Sequence, residues 1–189
     1  FWVSQARNAF MAFTLYLFEN WDDERSSGFP GGAGTPTLGA VYRLSSGDGT
    51  DLKKYLKTLS ERPFLSANAR SAFANMLSQA DETFASILGT FKEPLNPWIN
   101  PVLDKATSSN DFLLTDVRRK KMTIYIGIQP NKLAESRLII NLFFSQLINL
   151  NTKELPKSNP DLKYQCLLLM DEFTSIGKVE IIASAVSYM

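Results

Sequence analysis

Histidine is absent from the 189 residues. That removes the Ser-His and Cys-His routes to an activated nucleophile and the usual zinc sites, leaving acid–base work to carboxylates, Lys or Tyr. One cysteine, Cys166, excludes an internal disulfide. Lying within an apolar run, it predicts a packed thiol in a reducing compartment. Charge of one sign is also lacking. With 20 Lys and Arg against 19 Asp and Glu, the net charge of +1 supplies no global field toward nucleic acid or anionic membrane, so any such binding must come from local patches. Long hydrophobic runs are missing too. The longest, Ala9 to Phe18, is too short to cross a bilayer and is bracketed by Arg7-Asn8 and Glu19-Asn20. No transmembrane or signal segment is expected from it. Finally, the phosphate-loop pattern Gly-x-x-x-x-Gly-Lys-Ser/Thr occurs nowhere in the chain. Gly31, Gly32, Gly34 and Gly39 have no Lys-Ser or Lys-Thr at that spacing and no strand before them, so they read as a plain loop.

What is present is a 44% hydrophobic, 12% aromatic composition, enough for one real core or two modest lobes. The chain starts at Phe1 and stops at Met189 within a helical pattern, and so reads as a piece of a longer protein. Phe1 to Trp21 carries apolar residues at Ala6, Phe10, Phe13 and Leu17 with a second apolar side, predicting a well-buried helix. Asp22 to Gly34 predicts a loop. Thr35-Pro36 reads as a cap with proline at the first helical position, opening a short helix that ends before Ser45. Thr50 or Asp51 caps the next, with Leu52, Tyr55, Leu56 and Leu59 on one face. From Ser66, the positions Ala69, Phe73, Met76, Ala80, Phe84, Ile87 and Phe91 form one stripe. They predict a continuous helix of about 25 residues, roughly 37 Å long. Pro94 and Pro97 stop it. Residues 1–112 are thus expected to be an all-α domain.

After Ser108-Ser109-Asn110 the period changes, and residues 113–189 are expected to form a second domain. Met122 to Ile128 is β-rich, Asn131 to Leu150 is an apolar helix, and Tyr164 to Met170 is a second β-like run that is apolar at every position from Cys166. Strand, helix, strand with this return connection predicts a parallel βαβ unit, covered on both faces. The expected fold class is therefore α/β joined to an all-α lobe. Ligands of parallel sheets bind beyond the carboxyl ends of the strands, where Asp171 and Glu172 stand. In an NTPase the first would hold Mg²⁺ through water and the second would deprotonate the attacking water, as in a Walker B strand. The same pattern also describes an apolar strand that merely ends in a polar turn.

The stretches FWVSQARNAFMAFTLYLFEN, DVRRKKMTIYIGIQPNKL and LLLMDEFTSIGKVEIIASAVSYM together resemble the coupling ATPases of type IV secretion and conjugation, of the TraG type. Spread from Phe1 to Met189, they span most of the chain in the family's order. The resemblance implies a bacterial inner-membrane protein whose RecA-like nucleotide-binding domain, built on a parallel sheet, faces the cytoplasm and carries an inserted all-α domain. It further implies ATP and Mg²⁺ as cofactors, a homo-hexameric ring, and delivery of relaxase–DNA complexes or effector proteins to the secretion channel. On that reading Asp171 positions Mg²⁺ and Glu172 is the catalytic base. Residues 1–112 match the inserted domain that engages substrate. The missing phosphate loop departs from the family pattern, and without its backbone cradle and lysine these residues alone are expected to bind ATP poorly and turn over none.

Other residues stay open between two roles. Arg118, Arg119, Lys120 and Lys121 could touch DNA phosphates in a ring channel, or could solvate a strand entrance and protect its edge. Gln129 could sense a γ-phosphate, or serve as a turn residue. Arg137 could act in trans at a ring interface, or be a solvated helix arginine. For the whole chain the rival to a motor fragment is a non-catalytic helical adaptor that docks a cargo protein.

Overall fold

Helix caps set the frame of the first half. In this computed structural model, which describes residues 1–27, 36–171 and 181–182, the chain divides into two units, Phe1–Ser109 and Asn110–Met189. In the first, α1 (Trp2–Ser27) runs on through residues expected to be loop. Asp22 to Ser27 is polar but contains no glycine or proline, so nothing stops the helix there. Helix α2 (Leu38–Ser46) is capped by Thr37, whose hydroxyl accepts from Ala40 N; the expected Thr35 lies outside the described residues. It ends at Gly47, where φ is +79°, a conformation that favours glycine. Helix α3 (Leu52–Ser60) is capped by Asp51, which accepts from Lys54 N at 2.8 Å.

The expected 25-residue helix is two helices. Ser66 caps α4 (Ala67–Leu77), Ala80 adopts an extended conformation (ψ 153°), and α5 (Asp81–Lys92) begins again with Asp81 and Glu82 in its first turn, where the helix dipole favours them. Lys53 of α3 pins the corner. Its ammonium donates to the Gln79 carbonyl and to Asp81 Oδ1, both at 2.7 Å, and lies 5.2 Å from the Phe84 ring centre. The bend lets both α4 and α5 pack on α1.

Helix α1 buries Ala9, Ala12, Phe13, Tyr16 and Leu17, a spacing of three and four residues that gathers one face. Small Ala9 and Ala12 permit close approach. Phe13 meets Phe73 of α4 edge-on at 5.9 Å and Phe91 of α5 at 5.2 Å, and Asn8 Nδ2 donates to the Ala72 carbonyl at 3.1 Å. Burying side chains of this size contributes about 1.5–3 kcal/mol each. A 3₁₀ helix at Glu93–Ile99, holding Pro94 and Pro97, seats Trp98, whose indole N–H donates to Thr107 Oγ1 at 2.9 Å beyond α6 (Pro101–Ala106).

The second unit overturns the α/β expectation. Among the described residues there is no β-strand and no sheet: a 3₁₀ turn at Leu114–Arg118, another at Pro130–Lys132 and α7 (Leu133–Asn151) are its regular elements. Met122 to Ile128 and Tyr164 to Met170 run without a ladder. The physical reason lies in what each run meets. β-Rich side chains favour a strand only when a neighbouring strand pairs with the backbone and packs on the side chains. Here Tyr125, Leu167 and Leu169 are 90%, 85% and 88% exposed, where strands of a sheet covered on both faces would be buried. Tyr164 N–H instead donates to the Arg118 carbonyl at 3.0 Å. The RecA-like parallel sheet is therefore not part of the described chain. Its small core forms around buried Ile140 of α7, against which Ile128, Phe144, Ile181 and Ile182 pack. The helical pattern that runs to Met189 is described only at those last two isoleucines, which are helical.

Candidate functional site

The acidic pair closes the second β-like run. Leu168 and Met170 are half-buried and Leu167 and Leu169 exposed, the alternation of an extended backbone, and Asp171 follows in an exposed turn. Glu172, the expected base, lies outside the described residues. Among the described residues no three of His, Cys, Asp or Glu come together in a group able to hold a metal ion. With one exposed carboxylate and no phosphate loop in the sequence, these residues do not by themselves fit a magnesium–nucleotide group.

Gln129 is exposed and stands before the 3₁₀ turn Pro130–Lys132, its carbonyl accepting from Lys132 N at 2.8 Å, which gives it the geometry of a turn residue. Its side chain makes no capping bond.

The basic run separates into different environments. Arg118 is half-buried and its guanidinium donates to the carbonyls of Asn151, at 2.6 Å, and Glu154, at 3.1 Å, closing the C-terminal end of α7 where unpaired carbonyls need donors. Asn151 returns the contact, its amide donating to the carbonyls of Leu114 (2.9 Å) and Leu147 (2.8 Å). Lys120 pairs with Asp116 at 2.8 Å. Arg119 and Lys121 are exposed. The Arg118–Asn151 clamp was not foreseen from sequence, because the run reads as one block of charge. An asparagine in the last turn of a helix was the available signal. Cys166, expected to be packed, is exposed; burial around its sulfur still pushes the thiol pKa up, with the Arg118 charge pulling the other way.

In the first unit a separate apolar groove of about 230 Å³ is lined by Phe10, Thr14, Leu17, Phe18, Leu38 and Val41, among others, between α1 and α2. Among the described residues no helix is long and apolar enough to cross a membrane.

Two scaffold units, an acid at the end of an apolar run and a clamped basic turn are the features that known proteins can be set against. The family described as type IV secretory system conjugative DNA transfer matches over residues 1–189, and the chain belongs to that family. It is 36% identical over 157 residues to Protein VirD4 of Rhizobium radiobacter, covering 82% of this chain and 22% of that protein. A Protein VirD4 of Agrobacterium fabrum is 33% identical over 157 residues, again 82% of this chain and 23% of the relative. Conjugal transfer protein TraG of Escherichia coli is 26% identical over 125 residues, 63% of this chain and 20% of its own length. The chain thus spans about a fifth of the length of the curated relatives it matches.

Proposed function

We propose that this chain is part of a coupling protein that passes relaxase–DNA complexes or effector proteins to a type IV secretion channel at the cytoplasmic face of a bacterial inner membrane. The observation that carries the reading is the match, over every residue from 1 to 189, to a family described by conjugative DNA transfer, joined to a relative named as a conjugal transfer protein. Residues 1–112 would be the substrate-engaging lobe, and residues 113–189 the portion that serves the motor. The energy would come from ATP in a homo-hexameric assembly. Asp171 and Glu172 would be this chain's contribution to the magnesium–nucleotide site, completed by residues that these 189 do not supply. What supports that role is two adjacent carboxylates at the end of an apolar run.

The test is plasmid transfer between cells carrying the full-length gene. Deleting the gene should abolish transfer, and Glu172→Gln should lower its frequency by at least about a hundredfold at unchanged protein level, the scale of a lost general base. Transfer that survives deletion overturns the coupling role, and wild-type transfer by Glu172→Gln overturns the role of the pair. In parallel, the isolated 189 residues should release no phosphate from ATP. Release that depends on Glu172 would show that the site is already complete within them.

A further inference from the structure

We draw no further inference here: the strongest candidate, the apolar groove between α1 and α2 lined by Phe10, Leu17, Phe18 and Val41 with exposed Met11 on the same helix, carries nothing because nothing in the structure shows what covers it.

Discussion

The carboxylate of Glu19 on α1 holds both polar groups of Ser66: Oε2 accepts from Ser66 N at 2.7 Å and Oε1 from its hydroxyl at 2.6 Å. That hydroxyl in turn accepts from Ala69 N at 3.2 Å and so caps α4. The start of one helix is thereby fixed by the flank of another. Ser66→Ala should cost about 1–2 kcal/mol in urea unfolding, the worth of a cap and its supporting bond. Glu19→Ala should cost about 1 kcal/mol, and the double variant should cost about 0.5–1 kcal/mol less than the sum. Strict additivity would mean that the two residues act separately.

Gly39 and Asp104 make a second constraint. Gly39 is buried, and a Cβ built there would collide with the Asp104 carboxylate, whose Oδ2 pairs with Arg43 while Oδ1 is buried without a hydrogen-bond partner. Gly39→Ala should therefore destabilise the fold by about 1–3 kcal/mol despite alanine's better helix propensity. Thermal unfolding checks this, and adding Asp104→Ala should recover part of the loss. A Gly39→Ala chain as stable as the wild type would mean that the carboxylate moves aside at no cost.

The α4–α5 corner should respond to acid. The hydrogen bond from Lys53, and then its charge, hold the Asp81 carboxyl below its usual 3.8. A depressed carboxyl stabilises the fold above the unfolded value, and that stabilisation is lost as the pH falls through the lower folded value. Asp81→Asn should thus be less stable than the wild type at neutral pH, and the gap should close as the pH falls below 3.8 and on through the lower folded value. Unfolding midpoints measured from pH 7 downward report it; a gap that stays constant would exclude the ion pair as its source.

Arg118 and Arg119 are neighbours with different expected consequences. Arg118→Ala removes the donor that closes α7 and should cost about 1–3 kcal/mol, since it strands carbonyls at a helix end. Arg119→Ala and Lys121→Ala, on exposed side chains, should stay within about 0.5 kcal/mol of the wild type. Equal effects at all three positions would mean that the run acts as a charge block. Two of its members, Arg118 and Lys120, have protein partners of their own.

Local chemistry was legible wherever a signal is local. Asp51 and Ser66 cap as their side chains require, and α7 at Leu133–Asn151 nearly coincides with the helix expected from Asn131 to Leu150. The corner at Ala80 was hidden because the apolar stripe keeps its phase across it. Met76, Ala80 and Phe84 are four residues apart, no glycine or proline marks the break, and α4 and α5 both turn an apolar face to α1. Asp81-Glu82, an acidic first turn, was the sign of a new start. The strands failed for the opposite reason. Val, Ile, Leu and Tyr state a preference that only a neighbouring strand can satisfy, and the described chain places none beside Met122–Ile128 or Cys166–Met170. Of the candidate site, the acids were visible as residue types, while the Arg118–Asn151 clamp depends on contacts more than thirty residues apart in sequence.

The corner between α4 and α5 also governs how this domain tolerates changes of length. In an unbroken helix a one-residue insertion rotates everything beyond it by about 100° and turns the apolar stripe away from its partner. At Ser78–Ala80 the added residue can be absorbed in non-helical backbone, so Phe73 and Phe91 keep their seats on Phe13. Insertions there should leave the packing of both helices intact, whereas the same insertion at Ala72 or Leu88 would put α4 or α5 out of step with α1.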